Sequence, residues 1–193
     1  MGNLMSYDKC YPMWFRQLLS DLERHESFRE YAYPDPLSSL FKRHPHEKWG
    51  FEPADVIIAK LGEKASDGGP WTVGIGFTEG VTYTTRMSLA LAREKLPEIV
   101  FKHLHGLNSL TPDWDTYPDY VKTVLGNLIY NMGYETLKGF KNTLKLFRAK
   151  EWKKAGDGLV HSLWYTQTGT RARELVARMK TGQIESEHKL GET

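Results

Sequence analysis

The sequence predicts a mostly helical α+β protein built as two lobes joined by one long helix. Three observations predict it. Apolar residues recur at 3.6-residue spacing through most of the second half. One short stretch, 71–84, is instead rich in β-branched and aromatic residues with glycines at 74, 76 and 80. A helical stripe at 85–105 links the two parts. Two lobes joined in this way leave a cleft between them.

The elements follow in order. Residues 13–30 read as an amphipathic helix, with Phe15, Leu19 and Leu22 on one stripe and Glu26 continuing it. Burial on that stripe would favour the protonated carboxyl. Residues 31–70 are broken by prolines and glycines into an ordered, partly exposed excursion, in which 54–61 fits a short helix or a strand. Its aromatics Phe41, Trp49 and Phe51 argue against a free linker and for packing with some lining of the cleft. Residues 71–84 read as an antiparallel hairpin turning near Glu79-Gly80. Thr84 or Thr85 can cap the connecting helix, and Pro97 should kink it. Val121, Val124, Leu125, Leu128, Ile129 and Met132 mark a buried central helix that Gly133 can end. Shorter helices follow around 140–147, 152–163 and 172–179. The expected organisation is one domain: an α+β lobe over 1–84 carrying the insert 36–70, a connecting helix over 85–105, a helical lobe over 106–182 and a frayed tail over 183–193.

Composition narrows the function. The formal net charge is +2, mildly basic. It suits an anionic polymer without the charge of a dedicated nucleic-acid binder, so no nucleic-acid partner is expected. No apolar run is long enough to span a bilayer, so stable membrane insertion is not expected. An ordinary secretory signal is not expected from the first ten residues. Met1-Gly2 with Ser6 fits the N-myristoylation pattern formally and is read as an accidental match. Cys10 is the only cysteine, which excludes an internal disulfide and a thiolate metal cluster. The histidine pairs at 44/46 and 103/105 lack zinc-site spacing. Asp113, Asp115 and Asp119 lack the glycine and the twelfth-position carboxylate of a calcium loop. No metal and no cofactor are expected.

One constellation survives. Glu26 ends a helix on its apolar side, and Asp35 follows nine residues later between Pro34 and Pro36. Different environments would separate their pKa values into an acid and a base, the requirement for breaking a glycosidic bond. A salt-bridged helix end and a turn-forming aspartate account for the same two residues, and a chain with 24 acidic residues offers many such pairs.

Longer motifs decide between these readings. Glu26 through Tyr33-Pro-Asp35 is followed by Trp71-Thr72-Val-Gly74-Ile-Gly76-Phe-Thr78. Asn127, Asn131-Met132-Gly133, Gly139-Phe140, Asn142, Leu144, Trp152, Trp164-Tyr165, Gln167-Thr168 and Arg171-Ala172 come later in order. Over 13–35 and 71–182 this resembles the phage-type lysozymes, the endolysin muramidases of glycoside hydrolase family 24. The resemblance implies the two-lobed lysozyme-like fold and hydrolysis, by inversion, of the β-1,4 bond between N-acetylmuramic acid and N-acetylglucosamine in peptidoglycan. It implies that Glu26 is the general acid, Asp35 the base or electrostatic partner, and Thr72 the residue positioning water. It also implies that Arg171 supports the acid and that Tyr130, Asn131 and Thr143 contact the glycan.

Three departures stand out. Asp35 and Thr72 are 37 residues apart, and Asp67, five before Thr72, becomes a rival for the second carboxylate; the spacing from Glu26 and the preceding Tyr33 favour Asp35. Phe77 stands where relatives typically carry histidine. His25 and Glu174 stand where the charges of relatives are reversed, which predicts a His25–Glu174 pair across the two lobes. The expected partner is the glycan strand of peptidoglycan, met by a monomer. Such an enzyme would wait in a host cytoplasm until a holin opens the way to the periplasm and wall, or would travel in a virion. A lytic transglycosylase and a non-catalytic wall-binding or virion module are the alternatives.

Overall fold

The computed structural model describes Tyr7 and residues 10–183; the Met1-Gly2 pattern and the tail from 184 onward lie outside the described residues. The chain is mostly helical with one small antiparallel sheet, as expected. It forms two compact units, one of residues up to His25 together with Pro97 onward, the other Glu26–Leu96. The dividing lines therefore fall at Glu26 and Pro97. The first helix belongs with the carboxy-terminal elements, where the sequence suggested the amino-terminal lobe.

In the larger unit, α1 (Met13–Glu26) buries Phe15, Leu18, Leu19 and Leu22 completely. It is shorter than expected, because the chain turns at Ser27 (φ 54°) into a strand. α6 (Asp119–Lys138) buries Val121, Val124, Leu125 and Leu128. Gly126 lets α1 and α6 meet: a Cβ there would lie 2.4 Å from Leu18 Cδ2. Gly133 (φ 75°, ψ 168°) ends the first part of α6 as expected, and after this kink a second helical stretch runs to Lys138. α7 (Lys141–Arg148), α8 (Trp152–Val160), α9 (Leu163–Thr168) and α10 (Thr170–Thr181) complete the unit. α4 (Leu89–Leu104) contains Pro97 and crosses from one unit into the other, and the one-turn helix α5 (Leu107–Leu110) follows it. The Ser88 hydroxyl accepts from the Leu91 N–H and caps α4, in place of Thr84 or Thr85. Thr85 instead accepts from the Thr82 N–H in the preceding turn.

In the smaller unit, β1 (Arg29–Pro34) pairs antiparallel with β2 (Trp71–Gly74), in register Tyr33↔Thr72 and Pro34↔Trp71. This corrects the expected hairpin within 71–84. The strand's true partner is β1, and the tight turn falls at 74–76, where Val73 and Phe77 exchange 2.9 Å backbone bonds. Gly74 takes φ 68° there, and a Cβ would meet Met87 Sδ at 2.9 Å.

The insert is a packed element. α2 (Ser39–Arg43) is capped by Ser38 at 3.1 Å, and α3 (Ala54–Leu61) ends in left-handed Gly62. Leu40, Trp49, Ala54, Ile57 and Ile58 form one core with Ala32 of β1 and Trp71 of β2. The Trp49 indole donates to the His44 carbonyl at 2.8 Å. Arg43 bridges Glu63 and Asp67 at 2.6 and 2.9 Å, so ion pairs close the outer surface of the segment.

Candidate active site

Glu26 is the last residue of α1 and the first of the smaller unit. It is half-buried, less enclosed than its place on the apolar stripe suggested, because β1 leads the chain away directly after it. Its negative charge is felt by Tyr33. Burial raises the Tyr33 pKa above the ordinary value, and Glu26 adds to that; Arg29 and a hydrogen bond with the Thr72 side chain oppose it. One tyrosine thus links the predicted acid to the predicted water-positioning hydroxyl. Sequence reasoning used Tyr33 only to mark the turn. The signal that could have found its role is register: a tyrosine directly opposite Thr72 on a paired strand can reach it.

Asp35 follows β1 by one residue. Its N–H donates to the carbonyls of Gly68 and Pro70, both at 3.1 Å, which tethers the turn to the entrance of β2. Its Oδ1 accepts from the Leu37 N–H at 2.6 Å, and Oδ2 has no partner among the described residues. Asp35 is therefore a turn former with one carboxylate oxygen still available. Asp67 is placed differently. It sits in the 3₁₀ turn Ala65–Asp67, with Oδ2 bonded to Arg43 at 2.9 Å and Oδ1 accepting from Ser66 at 3.3 Å. Its charge is spent on holding the insert together. Phe77 is buried in the turn, so its position has become packing.

In the larger unit, His25 and Glu174 do pair, with Nε2 to Oε2 at 2.8 Å. The expectation of a bond across lobes is corrected: both residues lie in one unit. Arg24, which sequence reasoning missed, holds the same carboxylate at 2.9 and 2.8 Å. Burial alone would raise the Glu174 pKa, but the bonds from Arg24 and His25 outweigh it and hold the group at about 2. Burial keeps the His25 pKa below its ordinary value; the Glu174 bond opposes that, and Arg171 and Arg24 reinforce it. Beneath this cluster, buried Asp21 accepts from Gln17 at 3.0 Å and Arg178 at 2.5 Å. The end of α1, the residue before Glu26, is thus locked to α10 by ion pairs.

The predicted glycan contacts lie on α6 and α7. Half-buried Tyr130 rests against His103 with ring centroids 5.0 Å apart. Exposed Asn131 accepts at Oδ1 from the Trp164 indole at 2.8 Å, which fixes its amide. Thr143 lines an open depression of about 600 Å³ with Phe140, Asn142, His161 and Ser162. Arg171 is buried in the first turn of α10.

Two comparisons bear on this arrangement. Residues 60–181, more than half of the chain, match the family described as phage lysozyme. A protein named probable T4-type lysozyme 2 from Dictyostelium discoideum is 28% identical over 91 residues, 47% of this chain and 54% of its own. Probable T4-type lysozyme 1 from the same organism is 25% identical over the same extent. The chain thus spans about half the length of the curated relatives it matches.

Proposed function

The chain belongs to the phage lysozyme family, and from that premise we propose that it is a muramidase. It hydrolyses the β-1,4 bond between N-acetylmuramic acid and N-acetylglucosamine with inversion, using no cofactor. Glu26 gives its proton to the glycosidic oxygen as that bond breaks. A water held by Thr72 attacks the anomeric carbon from the opposite face and passes its proton to Asp35. Tyr130, Asn131 and Thr143 contact the glycan strand, and Arg171 is a supporting cation.

The observation that carries this reading is the register that sets Tyr33 opposite Thr72 on the β1–β2 pair, with Asp35 in the turn that follows β1. Thr72 lies on that strand pair, Asp35 directly after its first strand and Glu26 at the helix end before it, the three side-chain types needed for inverting hydrolysis. The ion-paired state of Asp67 supports Asp35 as the second carboxylate. An enzyme of this kind made in a bacterial cytoplasm needs a membrane-disrupting partner, a holin, to meet its substrate.

Mass spectrometry of the products from purified peptidoglycan tests the reaction. Hydrolysis yields free reducing ends that carry one added water. Products with 1,6-anhydro ends would assign a lytic transglycosylase instead, and intact glycan with folded protein would assign a binding module.

A further inference from the structure

A second concave site lies in the larger unit, where the start of α8 meets the end of α10. The pocket holds about 460 Å³. Its apolar surface comes from Tyr120, Trp152 and Met179, with Met179 buried and the two aromatic residues half-buried. Its polar surface is Lys150, Lys153, Lys154 and Lys180 against one acid, Glu151. A single pocket therefore concentrates more positive charge than the net +2 of the entire chain.

Two of these cations are already engaged: Lys154 pairs with Glu151, and Lys180 pairs with Asp157 at 2.9 Å. Lys150 and Lys153 have no side-chain partner among the described residues. The first turn of α8 carries Lys153 and Lys154 at the positive end of the helix dipole, with Glu151 at the N-cap the one acid beside them. Lys150 (φ 58°) is the left-handed residue that closes α7, with its N–H on the Phe147 carbonyl and the Glu151 N–H on the Leu146 carbonyl, both at 2.9 Å. Two unpaired lysines and a half-buried indole thus line one concavity.

We propose that this pocket binds a sugar phosphate. Lysines take the phosphate as point charges, and the main-chain N–H groups at the start of α8 add to the same field. The Trp152 ring supplies a flat apolar surface for a pyranose. That ring is kept in place by Tyr117 at 4.8 Å between centroids. Such a site would hold the protein to a phosphorylated envelope glycan independently of its catalytic residues.

The test follows the Trp152 indole N–H resonance while N-acetylglucosamine 1-phosphate, N-acetylglucosamine or inorganic phosphate is added at constant ionic strength. The expected result is saturable binding of the sugar phosphate, tighter than either half alone. K150A/K153A should weaken it at least ten-fold with the fold intact by circular dichroism. No saturable shift, or equal affinity in K150A/K153A, overturns the site. Inorganic phosphate binding as tightly as the sugar phosphate overturns the saccharide assignment. The measurement reads binding alone, so it stands or falls apart from the muramidase reading.

Discussion

In α6, Val121, Val124, Leu125 and Leu128 vanish into the core along one 3.6-residue stripe. In the segment 36–70 the buried residues Leu40, Trp49, Ile57 and Ile58 share no period. The first region is stabilised by one long helix whose apolar stripe is buried. The second is stabilised by a small core that short helices, a cap and a few ion pairs enclose. Asp35 and Thr72 depend on the second. The turn bearing Asp35 is tied through its N–H to Gly68 and Pro70, the very end of the inserted segment. The end of the insert thus braces the turn that carries the candidate carboxylate.

Four measurements sharpen or break that contrast. Trp71 touches both strands and the insert core, so W71A should cost about 3–5 kcal/mol in thermal or denaturant unfolding. Loss of much less would mean that the insert does not share a core with β2. D35N should lower the rate of cell clearing about 100-fold, the usual scale of a lost acid–base group. D67N should leave clearing unchanged, since its carboxylate serves Arg43. The reverse result would hand the role to Asp67. G126V should cost about 1–3 kcal/mol by driving a methyl into Leu18, with no selective effect on the smaller unit.

The smallest effect concerns pH. His25 has its pKa lowered by burial, so the unfolded chain binds a proton that the native state refuses. Its contribution is present above the unfolded value near 6.5 and is lost as pH falls below it. Glu174, held at about 2, contributes above its unfolded value of about 4.5 and is lost as pH falls through about 2. Stability should therefore decline in two steps on acidification, read as Tm against pH. H25Q should remove the upper step. E174Q should remove the lower one, at a cost of about 1 kcal/mol or less at neutral pH, because the pair is partly solvated. A Tm that rises on acidification would refute the assignment.

The sequence made α6 and the later helices legible because each buries one face at a constant period. It made Glu26, Asp35 and Thr72 the candidates because ordered motifs surround them. β1 was missed: the predicted helix took its first two residues, Arg29–Pro34 carries no strong alternation, and its pairing with residues 71–74 is long-range. The insert was opaque for the same reason, since Trp49 and Trp71 meet only after 21 intervening residues have folded. His25–Glu174 was predicted from charge, whereas Arg24 was missed because a surface arginine near a helix end has many possible partners. Tyr33 was visible as a turn marker, but its bond to Thr72 required the register.

The central claim is that Glu26 supplies the proton that breaks the sugar bridge. Turbidity clearing of outer-membrane-stripped cells by wild-type protein and by E26Q, both checked for native circular dichroism, tests it most directly. The account predicts brisk clearing by the wild type and a loss of at least about 1,000-fold in E26Q. Equal clearing by the two proteins would contradict it.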